Sequence, residues 1–298
     1  MKTILSIDGG GIRGIIPAST LVALEQQLGK PVRECFDFVA GTSTGALIAA
    51  AAGAGVSAQR ILEIYTQRAG EIFTPPKPIS DMQRLVVGYM YDPDQIRKVL
   101  VSEFGAAAGW VLNDSPIRLL LTAKGIDTRP WYFVQDNPRN GGQTGKLGLV
   151  DCAVASACAP TYFKPWTLKI QNKETVLVDG GVGVAGNPVY QACVEAFYYD
   201  TFDPAQTRVV SVGTGYFPPG NTVPVGLVGW LQWTIDALLD APIDQQPELV
   251  NRHWPGIMQR FDWLLPGAID MADTESIPAL VKVGQASAAK MDWKTILR

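Results

Sequence analysis

The chain has 298 residues, 47% hydrophobic and 18% charged, with a net charge of −3 and no basic block. A single core of that size buries roughly 75% of the unfolded surface and needs no disulfide or metal staple. The mixed composition excludes collagen, coiled coil and disorder, and a chain without a cationic footprint is not a nucleic-acid binder.

Thr3–Ile7 is a short apolar run, predicted as a strand that enters the glycine turn Asp8–Gly14. Pro17 falls in the first turn of a helix whose Leu21, Leu24 and Leu28 recur at threes and fours, and Gly29 ends it. Phe36–Ala40 is a second strand, followed by an Ala-rich helix from Ser43 to about Ala54. Ser57 caps a helix with the apolar stripe Ile61, Leu62, Ile64 and Tyr65. Residues 74–92 start out irregular, with Pro75, Pro76 and Pro78, and a helix opens at Asp92 or Pro93 and runs to about Phe104. Arg118–Lys124 and Trp131–Gln135 read as strands around a proline-containing turn, 137–146 as a Gly/Asn loop, and Leu149–Ala157 as a small-residue helix. Thr167–Ile170 and Glu174–Val178 form a predicted hairpin, Val189–Tyr198 a helix, and Arg208–Val212 a strand entering Gly213-Thr214-Gly215. From Gly226 onward only helices are expected.

Strands alternating with helices predict a three-layer α/β/α domain with a mostly parallel central sheet. No interdomain linker interrupts it, so 1–298 reads as one domain: a core of about 3–215 and a helical, aromatic-rich part of about 226–298. The N-terminal apolar run is shorter than the ~7–15 residues of a signal h-region. The longest uncharged apolar run, Gly45–Val56, falls short of the ~20 residues that span a bilayer. A cytoplasmic protein is expected. Cys35, Cys152, Cys158 and Cys193 show no C-x-x-C spacing, and one histidine cannot complete a zinc site, so reduced thiols and neither metal nor cofactor are expected.

Three glycine-centred points follow predicted strands, and in an open α/β sheet ligands gather at strand carboxyl ends. Gly9-Gly10-Gly11-Ile12-Arg13-Gly14 fits G-x-G-x-x-G. It suits a dinucleotide, which makes an oxidoreductase one reading. The acid that should end the second strand and bind ribose is missing, however: Glu25 falls in a helix and Glu34 precedes the strand. The same loop suits an anion hole built from consecutive backbone N–H groups. Gly41-Thr42-Ser43-Thr44-Gly45 is G-x-S-x-G between strand and helix, the context of a nucleophile elbow, with the Thr44 N–H as a further donor. Ser43 as a plain helix cap is the competing reading. A serine nucleophile needs a base. His253 lies in an aromatic helical context, whereas Asp179, at the end of its strand in Asp179-Gly180-Gly181, is carried to the edge that holds Ser43.

Together these residues resemble the patatin-like phospholipase family of lipid acyl hydrolases. Asp8–Gly14 is similar to its glycine-rich oxyanion loop, Gly41–Gly45 to its nucleophile motif, and Asp179-Gly180-Gly181 to its acid motif, with Asn187-Pro188 trailing. Ala155-Ser156 through Pro160 and Phe163, and Ser211–Gly215, extend the likeness over about residues 3–215. The resemblance implies a metal-free Ser-Asp dyad. Ser43 would be the nucleophile and Asp179 its proton acceptor, with Gly9, Gly10, Gly11 and Thr44 as oxyanion donors. Arg13 would either hold the loop or face a phosphate. The implied partner is a lipid or phospholipid substrate. The apolar stretch Leu227–Leu239, with Trp230 and Trp233, has three readings: core packing, an acyl-chain pocket or lid, or transient membrane contact. A lipid-binding module without catalysis would keep that stretch and not need Ser43.

Overall fold

The computed structural model describes residues 1–74, 88–183, 185–218, 223–226, 230 and 243–298. Pro75, Pro76, Pro78 and all of 227–239 except Trp230 lie outside the described residues.

Strand β1 (Lys2–Ile7) leads through a 3₁₀ turn at Gly11–Gly14 into helix α1 (Ile15–Leu28). Strand β2 (Phe38–Thr42) leads directly into α2 (Thr44–Ala54), and α3 (Ala58–Gln67) follows with Ser57 as its cap. The short β3 (Tyr89–Tyr91) precedes α4 (Pro93–Phe104), and β4 (Arg118–Gly125) forms a hairpin with β5 (Pro130–Val134). Helix α5 (Leu149–Ser156), strand β6 (Thr161–Phe163) and the hairpin β7 (Trp166–Ile170) and β8 (Lys173–Asp179) come next. Helix α6 (Val189–Val194) continues as a π-helical turn through Tyr199. Then come β9 (Thr207–Val212), β10 (Met258–Phe261) and α7 (Ile277–Ala288).

β10, β9, β1, β2 and β4 are neighbours in that order, all parallel. Parallel strands buried on both faces read as continuous apolar runs, as β1 and β2 do. Alternate residues feed two cores. Leu5, Ile7, Val39, Leu119 and Leu121 pack under α1 and α2, while Ile4, Phe38, Ala40 and Leu120 pack under α6. Helix α2 is apolar all round and buried, as a helix packed on every side must be. A Cβ on Gly45, in its first turn, would run into the Ile7 carbonyl.

The far side of β4 breaks the parallel pattern in a way that matters for function. β5 lies along one edge of β4, and β2 and β8 share the other. β2 runs parallel to β4 up to Thr42 opposite Thr122, and β8 runs antiparallel down to Asp179 opposite Ala123. The two strands therefore meet end to end, one register step apart. This brings the residue after β2 beside the last residue of β8.

One element departs from the helix-only reading of 226–298. Met258–Phe261 is an edge strand paired parallel to Val209–Val212. The small sheet of β3 with β6 was likewise not predicted. Among the described residues, no helix is long and apolar enough to cross a membrane. All four cysteines are free, with Cys35 half-buried and the others buried.

Candidate active site

Ser43 stands on the turn between β2 and α2 with φ 54° and ψ −123°. A non-glycine residue in that region holds about 1–3 kcal/mol of strain, which the surrounding structure must sustain. Its side chain makes no capping bond to α2, so the helix-cap reading of Ser43 is set aside. The Ser43 hydroxyl instead faces Asp179, close enough to pull its carboxyl pKa down. Asp179 is buried, at 3% exposure, and its Oδ1 accepts the Gly181 N–H at 2.7 Å. Burial pushes its carboxyl up to about 6, against the opposing pull of the Ser43 side chain and the Gly181 N–H. The end of α5 grips both partners: Ser156 Oγ accepts the Ser43 N–H at 2.9 Å, and the Cys158 carbonyl accepts the Asp179 N–H at 2.9 Å.

The glycine loop lies against this pair, since a Cβ on Gly9 would stand 3.3 Å from Ser43 Cβ. The four expected donors separate here. The Gly9 N–H donates to the Gly186 carbonyl at 2.9 Å and is not available to an oxyanion. The N–H groups of Gly10, Gly11 and Thr44 have no acceptor among the described residues. Arg13 Nε donates to the Gly10 carbonyl at 3.3 Å, so the side chain braces the loop. Thr214 Oγ1 donates to the Gly9 carbonyl at 2.6 Å, and the Ile12 N–H donates to the Met271 carbonyl at 2.8 Å. The Gly9 and Ile12 N–H groups are thus already bonded to this chain's own carbonyls and are not open to a pyrophosphate at the start of α1. That argues against the dinucleotide reading of residues 9–14.

Residues 5–193 match the family model described as patatin-like phospholipase. The chain belongs to this family. It is 27% identical over 241 residues to a cGAMP-activated phospholipase of Escherichia coli, covering 78% of this chain and 66% of that one. It is 30% identical over 223 residues to a cGAMP-activated phospholipase of Vibrio cholerae, covering 70% and 61%. Patatin-17 of Solanum cardiophyllum is 30% identical over 232 residues, covering 71% and 57%. The chain thus spans less than two thirds of the length of two of these relatives and 66% of the other. The crystal structure of VipD from Legionella pneumophila shares the fold at a TM-score of 0.52 and 13% identity, over 99% of this chain and 66% of that one.

Sequence reasoning missed part of what surrounds the patatin-like site. Arg260, at the centre of β10, donates Nη1 to Asp8 Oδ1 at 2.9 Å and to Ser211 Oγ at 2.9 Å, and Nη2 to Asp8 Oδ2 at 2.5 Å and to Asp262 Oδ2 at 2.8 Å. Burial pushes the Asp8 carboxyl up to about 7, with Arg260 pulling the other way. Asn187 is fully buried and links Ser6, Ser211 and the Val189 N–H. No sequence motif marks Arg260, because Asp8, which it grips with both terminal nitrogens, lies at the other end of the chain.

His253 is exposed at the end of helical residues 243–253, before β10, and stacks on Tyr190 and Trp254 at 5.5 and 5.7 Å. Since β10 runs parallel to β9, that position is at the sheet edge opposite Ser43. Burial raises the Cys152, Cys158 and Cys193 thiols, which stay protonated and unreactive. No group of metal-ligating side chains occurs among the described residues.

Proposed function

We propose that the chain is a metal-independent serine esterase that hydrolyses lipid esters, in the manner of a phospholipase A, through a Ser43–Asp179 dyad. The observation that carries this reading is a strained, half-buried Ser43 set beside the buried Asp179 carboxyl where β2 and β8 meet, next to the N–H groups of Gly10, Gly11 and Thr44, which have no acceptor among the described residues. Ser43 Oγ attacks the ester carbonyl carbon as its proton passes to Asp179. The carbonyl oxygen becomes an oxyanion held by those N–H groups, each such donor being worth ~2.7–4 kcal/mol. Collapse breaks the ester C–O bond, and the leaving alkoxide takes the proton from Asp179. Water then attacks the acyl-Ser43 carbonyl, giving its proton to Asp179, and the carboxylic acid leaves as Ser43 is reprotonated.

A lipid as substrate is supported by the rim. Tyr216, Phe217 and Leu264 are exposed just past the carboxyl ends of β9 and β10, the edge that holds Ser43. Among the described residues the Arg13 side chain bonds only the Gly10 carbonyl, through Nε, which leaves its terminal nitrogens for a substrate phosphate.

The test is labelling by a fluorophosphonate together with hydrolysis of a soluble p-nitrophenyl ester and of phosphatidylcholine vesicles. Wild type should label and turn over, and Ser43→Ala should do neither while keeping its far-UV spectrum. Retained turnover in Ser43→Ala would sink the assignment. A wild type that binds vesicles and never labels would favour the non-catalytic lipid-binding reading.

A further inference from the structure

We infer that Arg260 is the positioning residue of the oxyanion loop: its guanidinium clamps Asp8 from the C-terminal edge strand and so holds the Gly10 and Gly11 N–H groups in register with Ser43. This inference rests on the dyad reading for its catalytic consequence, but not for its structural one.

Asp8 is the last residue before the three glycines and is 1% exposed. Its backbone N–H is tied to the Val212 carbonyl at 3.1 Å, which fixes the peptide but not the direction in which the chain leaves the strand. Both carboxylate oxygens are taken by the two terminal nitrogens of Arg260. A two-point bond between planar groups fixes orientation as well as distance, which a single ammonium could not do. Arg260 is itself held from two other directions, by Ser211 Oγ and Asp262 Oδ2. Asp262 in turn accepts the N–H groups of Gly215 and Trp263 at 2.9 Å each. Gly215 follows Thr214, whose hydroxyl bonds the Gly9 carbonyl. Two of the holds on the loop, through the Asp8 side chain and through the Gly9 carbonyl, thus end on Arg260, beside the separate bonds of Gly9 N–H to Gly186, Ile12 N–H to Met271 and Arg13 to Gly10.

Gly10 and Gly11 themselves give little support. Gly10 and Gly11 have no side chains, and both sit at positive φ, 152° and 58°. Three consecutive glycines are the most freely moving backbone a chain can have. An oxyanion hole acts by being organised before charge develops, so something outside the loop must hold it. The pair is also one that a stability argument alone does not explain, since buried ion pairs often stabilise no better than apolar residues of the same volume.

The test compares wild type with Arg260→Lys and with the double variant Asp8→Asn/Arg260→Met. The double variant removes both charges of the Asp8–Arg260 pair, leaves only the half-buried Asp262 without its guanidinium, and so is expected to fold where Arg260→Met alone could fail. Two readouts are taken: amide hydrogen exchange of the peptide covering residues 8–14 in the free protein, and kcat and KM on a soluble ester. The expected result for the double variant is at least tenfold faster exchange over 8–14, unchanged exchange in α3, a kcat lower by ~10²-fold, the scale of losing one oxyanion donor, and a KM within threefold. Arg260→Lys should fall between the two. Exchange over 8–14 within twofold of wild type, or a kcat within twofold, would overturn the inference. A wild type that fails to hydrolyse the ester or to label at Ser43, with faster loop exchange in the double variant, would sink the dyad and leave Arg260 as the holder of the loop.

Discussion

Replacing Asp179 by Asn should stop turnover and stabilise the fold, the second effect growing with pH. Burial lifts the Asp179 carboxyl from 3.8 to about 6 in the folded chain. At ~1.36 kcal/mol per pH unit, the fold holds the anion at a cost of about 3 kcal/mol relative to the unfolded chain. The sign follows from the direction of the shift. A carboxyl whose folded value is raised contributes stability that is complete below about 3.8 and is lost as pH climbs through about 6. Asparagine carries no charge at any pH and keeps a carbonyl oxygen for the Gly181 N–H. The variant should therefore gain up to about 3 kcal/mol over wild type at pH 8 and almost nothing at pH 3.5. Urea unfolding at the two pH values, with m unchanged, reads this directly. The same variant should lose ~10⁴-fold in kcat, the scale seen when an acid that serves a catalytic base becomes an amide. A stability difference that is equal at both pH values would show that the carboxylate is not desolvated, and a kcat within tenfold of wild type would show that another group takes the Ser43 proton.

The remaining expectations are independent of that variant. kcat/KM on an uncharged soluble ester should rise through about pH 6, so that the value at pH 5 is roughly a tenth of that at pH 7. An ordinary histidine titrates near ~6.5, so the limb alone does not identify the base; His253→Ala should leave it in place, and a vanished limb would restore histidine as the base. Gly11→Ala should lower kcat by at least tenfold and destabilise the fold, because φ is 58° there and a new Cβ would strike Met271; thermal unfolding and ester kinetics check both. Activity should survive excess chelator and gain nothing from calcium, and a calcium requirement would reveal a carboxylate site that the dyad mechanism does not contain.

What the sequence made legible was what is local. The apolar runs of β1 and β2, the small-residue α2 and the turn at Gly41–Gly45 are each specified within a few neighbouring residues. Ser43 and Asp179 could be named because each sits in a short motif, and the structure brings them together where β2 and β8 meet on β4. What stayed hidden depends on pairing across long separations. Met258-Gln259-Arg260-Phe261 is four residues long, has no β-branched side chain and is only half-buried, so nothing local marks it as a strand. The engagement of the Gly9 N–H depends on Gly186, far along the chain, and no property of three identical glycines tells which of them is already bonded. The grip of Ser156 on the Ser43 N–H was hidden in the same way, inside a helix that reads only as small and apolar.

The join between Asp8 and Arg260 crosses 252 residues of chain. A ribosome making roughly 5–20 residues per second would release the second partner about 13–50 s after the first. For most of that interval the nascent chain carries Ser43, and for its later part Asp179, while β10 and the Met271 carbonyl are still missing from the glycine loop. The proposed dyad would thus be in hand well before the glycine loop beside it is clamped, and competence would wait for β10 rather than for Ser43 or Asp179.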